Sequence, residues 1–574
     1  MGDLHFHWAD YVVFAASLCI SAGVGIYFGT AGKKQDSTEE FLMAGRSMHP
    51  IPVSVSLFVS WMSAISFLAD PVEAYKFGAV YWIIGIGYSL GLPLVAHVFA
   101  PYFHRLEIVS AYEFLERKYS KLLRLFATLT NMMVLMLWLG VVLYAPALAL
   151  SQSSGMPVWV AIISIGAVCI FYTTLGGMKA VLWTDTIQMV IMVAGLLAIV
   201  IQGCVKVGGV GQLFHIVSQT GHTQINDFDP NPLRRATFWT FFIGGIFRTL
   251  IPYVSTQMQI QRFCTVRTPR EAAIAVYLNM PIYVIMSTLF TAIGLVMAAL
   301  YAQCDPLLEG RITTRDQMVP LLVLELLGFL PGIPGLFMAC VFSASLSSLS
   351  SGINSMSANT LKDFIEPAVI ALSKKNLSDR LGTFLAKALV VIYGLMLVGM
   401  AFAMMATESS IFALTAKAVG MVGSPLAGVF ILGVLFPSMK SKSVIPAFII
   451  GLTVCLWVGV GAFLTPQGIP QEALPISTAL CTANNTEGST IVPDITTSLF
   501  EFSTTATNES SPSSIYNLNP LYYGPMGCTL TIILATIFHW THILIEKTCC
   551  RSKYSSVQSV DEKVLGIPMK DGTK

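Results

Sequence analysis

Seven serines stand between Ser343 and Ser355 in the otherwise apolar run ACVFSASLSSLSSGINSMSANT. On a helix, the adjacent hydroxyls of Ser347 and Ser348 converge with the carbonyl one turn earlier, at Ala344. Oxygens of this kind are what a dehydrated hard cation needs as ligands. Serines also let helices approach closely, and each of them carries that second reading. Hydroxyls recur in PVSVSLFVSWMSAISFLADP, at Ser54, Ser56, Ser60, Ser63 and Ser66. A third stretch, FWTFFIGGIFRTLIPYVSTQMQIQR, holds Gly244, Gly245 and Pro252, which weaken its hydrogen-bond ladder. Backbone left unpaired at membrane depth must face protein, water or a ligand.

Three charged residues lie inside apolar runs, where charge is expensive and therefore functional by default. Asp185 either supports a cation or pairs with Lys179 near the inner interface. Arg248 lies some eleven residues into its run, about 17 Å along a helix rising 1.5 Å per residue. Its planar fork suits a carboxylate, or else it pairs with a carboxylate of another span. Lys417 either adds to an anion-attracting pocket or snorkels to the outer surface. There is no zinc-type His/Glu cluster, GxSxG elbow or Walker loop, so neither an enzyme nor an ATP-driven pump is expected.

The elements that would position these groups are apolar throughout. Of 574 residues 55% are hydrophobic and 11% charged, too few charges for a water-soluble surface. A net charge of +2 leaves no nucleic-acid footprint. Apolar runs of spanning length fall near 10–29, 51–70, 79–103, 124–149, 157–175, 182–205, 237–258, 273–300, 318–362, 383–406, 410–436, 443–464 and 521–546, thirteen in all. The expected fold class is therefore an all-α polytopic membrane protein with about 13 transmembrane helices. The ninth run is overlong and broken by Pro331, Gly332, Pro334 and Gly335, which predicts a short surface helix followed by a span from about 336.

Basic residues set the orientation. With the N-terminus outside and the C-terminus inside, the inner segments collect Lys33, Lys34 and Arg46, then Arg117, Lys118, Lys121 and Arg124, then Arg262, Arg267 and Arg270. The same parity puts the polar loop 465–520 outside, with its glycosylation sequons at Asn484 and Asn508. The tail 551–574 reads as a disordered cytosolic segment.

A secondary transporter needs two inverted halves, each with an interrupted helix near the bilayer midplane. Residues 51–205 and 237–436 supply five runs each and begin on opposite faces of the membrane, which is that inversion. The run 10–29 is then an extra first span, and 443–546 holds the last two.

The motifs YTTLGGMKAVLWTDTIQ at 172–188, DFDPNPLRRATFWT at 227–240 and CDPLLEGRITTRDQ at 304–317 resemble the sodium/solute symporter family, in its branch of monocarboxylate, multivitamin and iodide carriers. The likeness runs from about Asp10 to Thr548 and implies the five-plus-five inverted repeat of the bacterial leucine transporter. By that resemblance the carbonyls of Val59, Met62 and Ala344 and the hydroxyls of Ser347 and Ser348 hold sodium. Asp185, Gln188 and Gln257 support that site or a second ion. Ser63, Ser66 and Gln257 are also candidates for the solute site, with Arg248 and Lys417, which are placed there by their own charge and not by the resemblance. The branch usually has Gly-Val-Asn-Gln where Val-Ser-Thr-Gln stands at 254–257, and it usually lacks a cation at the place of Arg248.

The resulting expectation is a plasma-membrane symporter that takes in a small organic anion with sodium and uses no organic cofactor. The anion would be a monocarboxylate or a carboxylated vitamin. The alternatives are an iodide symporter and an uncoupled sodium leak or sensor.

Overall fold

The computed structural model describes residues 6–30, 37–312, 315–375, 377–405, 411–464, 474 and 515–565. Fourteen helices carry the architecture: α1 (Trp8–Thr30), α2 (Pro50–Trp61), α3 (Ala64–Phe77), α4 (Ile83–Leu94), α5 (Lys121–Ser154), α6 (Val158–Val207), α7 (Phe238–Ser255), α8 (Gln257–Phe263), α9 (Asn279–Leu300), α10 (Ile333–Asn359), α11 (Asp379–Met405), α12 (Ile411–Leu435), α13 (Ser441–Leu464) and α14 (Tyr523–Leu565). Shorter helical turns join them. Among the described residues the sole β-type pairing is an isolated bridge between Met48 and Val266.

α10 is the axis of the bundle. From Phe337 to Asn359 it is buried without interruption, so its serines and asparagines face protein and not lipid. It packs against α6, α1, α5, α11 and α2. α4 lies along α7, and glycines set that approach: a Cβ on Gly87 would come within 3.0 Å of the Gly245 Cα. α1 is tied to the start of α10 by the buried Asp10 carboxylate, which accepts the N–H groups of Gly332 at 2.9 Å and Gly335 at 3.0 Å.

Eight helical stretches among the described residues are long and apolar enough to cross a bilayer, fewer than the thirteen expected from counting apolar runs. Two physical causes account for part of the difference, and the runs at 10–29 and 410–436 are counted only over Trp8–Val24 and Gly420–Leu435, the portions described. Some runs are broken into helices too short to span, as where Pro50–Trp61 gives way to a new helix at Ala64. Others are joined end to end: α6 contains both the fifth and the sixth run.

Inside α6, Gly177 has φ 55° and ψ −153°, a conformation open in practice only to glycine. Thirteen residues of straight helix would separate Tyr172 from Asp185 by about 20 Å. Yet the Tyr172 hydroxyl donates to the Leu346 carbonyl at 2.9 Å, and Asp185 lies beside Ser347. The chain therefore folds back at Gly177. The last helix, α14, keeps helical backbone to Leu565, into the stretch expected to be irregular from 551.

Candidate functional site

The first break comes where α2 stops. Met62 donates its N–H to the Phe58 carbonyl and then turns extended, with ψ 99°, and Ser63 follows with ψ 172°. Ser63 starts the next helix by accepting the Ile65 N–H at 3.3 Å, the N-cap role serine performs well. The carbonyls of the last turn of α2, Val59 among them, lose the donors a continuing helix would supply. Val59, Met62, Ser63 and Ser66 are all buried. The second break is at Thr256, whose ψ of 135° separates α7 from α8, four residues after Pro252.

The serine-rich helix meets the first break. Ser348 Oγ donates to the Ser60 carbonyl at 3.0 Å, and Ser351 Oγ reaches Ser60 Oγ at 3.3 Å. Ala344, Ser347 and Ser348 are fully buried. Asp185 comes from α6 to the same place and accepts a hydrogen bond from Ser56 Oγ.

Its charge partner is Arg262 of α8, 3.8 Å away, with both side chains 0% exposed. Arg262 also donates to Ser56 Oγ at 2.8 Å, to the Met258 carbonyl at 2.6 Å and to Ser351 Oγ. Lys179, the alternative partner for Asp185, is bound instead to Glu40 at 2.6 Å.

Within this network the second carboxylate oxygen, Asp185 Oδ1, and the neighbouring Ser347 Oγ are buried and, beyond a long contact between these two side chains, have no hydrogen-bond partner among the described residues. Unpaired buried oxygens are costly. A bound cation would satisfy both.

Arg248 sits on α7 among the side chains of Tyr88, Asp70 and Tyr81, with Glu73 also in electrostatic reach. It is half-buried, and no hydrogen bond or ion pair within 4.0 Å engages it among the described residues. Asp70, on α3, is 5% exposed.

The other expected site residues are placed differently. Gln188 lies one turn beyond Asp185, donates to Ser21 Oγ of α1 at 3.3 Å and leaves its own Oε1 unpaired. Gln257 is engaged by backbone groups: its amide donates to the Val109 carbonyl and accepts from the Ala111 N–H, each at 2.6 Å. The side chain of Lys417, and Asn484 and Asn508 altogether, lie outside the described residues.

Two participants are hidden in the sequence. Arg262 reads as a basic residue of an inner loop, because Arg267 and Arg270 follow it, and the structure buries it completely. Asp70 reads only as the polar end of its apolar run. The signal for Arg262 is present in QMQIQR, a short segment with polar residues on every side, which makes a stable helix only when those residues find buried partners.

Two helices interrupted beside a buried helix lined with hydroxyls, with ionic groups held between them, are the parts of a secondary transporter. The sequence pattern of the Sodium:solute symporter family matches residues 41–451, and the chain belongs to that family. Its members are transporters and not enzymes, and sodium is the coupling ion.

Among curated relatives, sodium-coupled monocarboxylate transporter 1 of Mus musculus is 38% identical over 535 residues, covering 92% of this chain and 86% of its own length. Sodium-coupled monocarboxylate transporter 2 of Danio rerio is 39% identical over 537 residues, covering 92% and 83%. The sodium/iodide cotransporter of Homo sapiens is 38% identical over 533 residues, covering 92% and 82%. A solved structure of a sodium-coupled sialic acid symporter in its substrate-bound outward-open state superposes with a TM-score of 0.75 at 24% identity, covering 93% of this chain and 98% of that one. That likeness establishes the all-α, multi-pass membrane fold.

Proposed function

We propose that this protein imports a small organic anion, a monocarboxylate or a carboxylated vitamin, with sodium across the plasma membrane. The observation that carries the reading is the pair of unpaired buried oxygens, Asp185 Oδ1 and Ser347 Oγ, beside the break after α2. In this reading the carbonyls of Val59, Met62 and Ala344 and the hydroxyls of Ser347 and Ser348 hold sodium, and Asp185 and Gln188 support them. Arg248, half-buried and without a direct ion pair, meets the carboxylate of the solute as it enters past Ser66 and Ser63. The monocarboxylate carriers among the relatives favour this class of solute. The iodide carrier favours a spherical anion, which has no use for a guanidinium fork.

The same proposal includes an inverted repeat, 51–205 and 237–436, and thirteen crossings with the N-terminus outside. It is supported by the position of the two breaks, each in the leading helix of its half. The reversal at Gly177 supports it too, since it makes two crossings of one continuous helix. Sodium binding then completes the solute site and biases one of two states between which the bundle rocks.

The test is uptake of labelled nicotinate, lactate, biotin and iodide, in sodium and then in choline, by the intact chain and by Ser347→Ala and Arg248→Ala. Sodium-dependent uptake of a carboxylate, with a sodium requirement raised by the first substitution and a solute KM raised by the second, is the expected result. Iodide uptake indifferent to Arg248→Ala would move the solute class to inorganic anions. Sodium current without saturable uptake would overturn coupled transport.

A further inference from the structure

Asp70 and Arg248 occupy matching positions on the two interrupted helices. Asp70 stands eight residues after the break at Met62, on α3, and Arg248 stands eight residues before the break at Thr256, on α7. Eight residues of helix rise about 12 Å. In two halves of opposite orientation, the segment after the first break and the segment before the second both run toward the outer face. The two charges therefore lie at one depth, about 12 Å outward of the breaks, on the two half-helices that flank the outer pathway.

The surroundings leave these two groups to each other. Asp70 lies within electrostatic reach of Arg248, beside the Tyr81 hydroxyl, with Glu73 as the remaining charged neighbour. Glu73 is held by Arg235 at 2.9 Å, so Asp70 is the carboxylate available to Arg248. Yet the two are not joined within 4.0 Å, and Arg248 keeps part of its surface open. A buried carboxylate and a half-buried guanidinium within electrostatic reach and not in contact gain by closing the distance, because neither has another full countercharge.

We propose that Asp70 and Arg248 form an electrostatic latch that draws the two outward half-helices together when the outer pathway closes, with the tyrosines at 81 and 88 as its hydroxyl lining. The solute anion and Asp70 then use Arg248 in turn, the anion while the pathway is open and Asp70 once the anion has moved inward to the breaks. The latch makes Asp70 a positioning residue of the transport cycle. It rests on the outward placement of these half-helices given in the proposed function.

The experiment uses an accessibility reporter, Ser63→Cys, seven residues inward of Asp70 on the same path. Its labelling rate by a membrane-impermeant thiol reagent applied from outside is measured in choline medium and corrected by the same chain with Ser63 intact. Solute KM and surface abundance are measured in parallel. Asp70→Asn and Arg248→Gln are each expected to raise labelling several-fold. The charge exchange Asp70→Arg with Arg248→Asp is expected to return labelling toward the parent rate while the solute KM stays high. Asp70→Glu, which keeps the charge, holds the parent rate and controls for folding.

Unchanged labelling in Asp70→Asn, or no recovery in the exchanged chain, overturns the latch. A raised KM in Arg248→Gln beside unchanged labelling would leave the solute reading standing without the latch. Raised labelling with an unchanged KM would keep the latch and remove Arg248 from solute binding.

Discussion

Asp185 and Arg262 are both shut away from solvent, and the energetic cost of keeping either one there is set by the other. Removing one partner of a buried ion pair leaves an uncompensated charge and costs about 3–5 kcal/mol, whereas replacing both is often nearly neutral. Arg262→Met is therefore expected to lower the melting temperature of the detergent-purified protein sharply. The double substitution Arg262→Met with Asp185→Asn should recover most of that loss. Equal melting temperatures for the single and double variants would show that the pair is not coupled. Ser347→Ala removes one hydroxyl from the same region, and losing one ion ligand of about 1.4 kcal/mol raises the half-saturating sodium concentration about tenfold. Sodium titration of uptake reads that shift directly. The serines and Asp185 were legible in the sequence because a polar group in an apolar run stands out by type alone. Arg262 was not, since a cation near the end of a run has the same appearance whether it turns to water or into the bundle.

At the level of the helix, the breaks were legible and the continuity was not. Gly244, Gly245 and Pro252 announced a weak second leading helix, and its interruption falls just beyond Pro252, at Thr256. The end of α2 has no such residue at Met62, and only the density of serines hinted at it. Conversely, nothing in the apolar pattern told that the fifth and sixth runs form one helix folded at Gly177. That residue gives a sharp prediction. A Cβ there would stand 2.8 Å from the Phe41 carbonyl oxygen and 2.7 Å from its ring, in addition to the strain of a non-glycine residue at that φ and ψ. Strain and overpacking of about 1–3 kcal/mol each should make Gly177→Ala strongly destabilising by melting temperature. Gly155→Ala, at φ 70° with open space around it, should cost only about 1–2 kcal/mol. Similar losses at the two positions would refute the fold-back.

For the molecule as a whole, orientation is the property that sequence reading supplies and helices alone do not. If 465–520 is outside, glycosidase treatment should reduce the apparent mass of the cell-expressed protein in two steps. One step should vanish in Asn484→Gln and the other in Asn508→Gln. A glycosidase-sensitive mass that neither substitution changes would argue for the opposite orientation, which would expose the sequon Asn376-Leu377-Ser378 instead. The contact between Asp10 and the start of α10 bears on how such a protein is made. Asp10 belongs to α1, and its partner Gly335 follows 325 residues later. At roughly 5–20 residues per second, that carboxylate waits on the order of 15–65 s in the nascent chain before its final hydrogen bonds exist. During that interval α1 lacks the partner that holds its carboxylate in the finished bundle, so biogenesis, more than the finished protein, is where a change at Asp10 would first be felt.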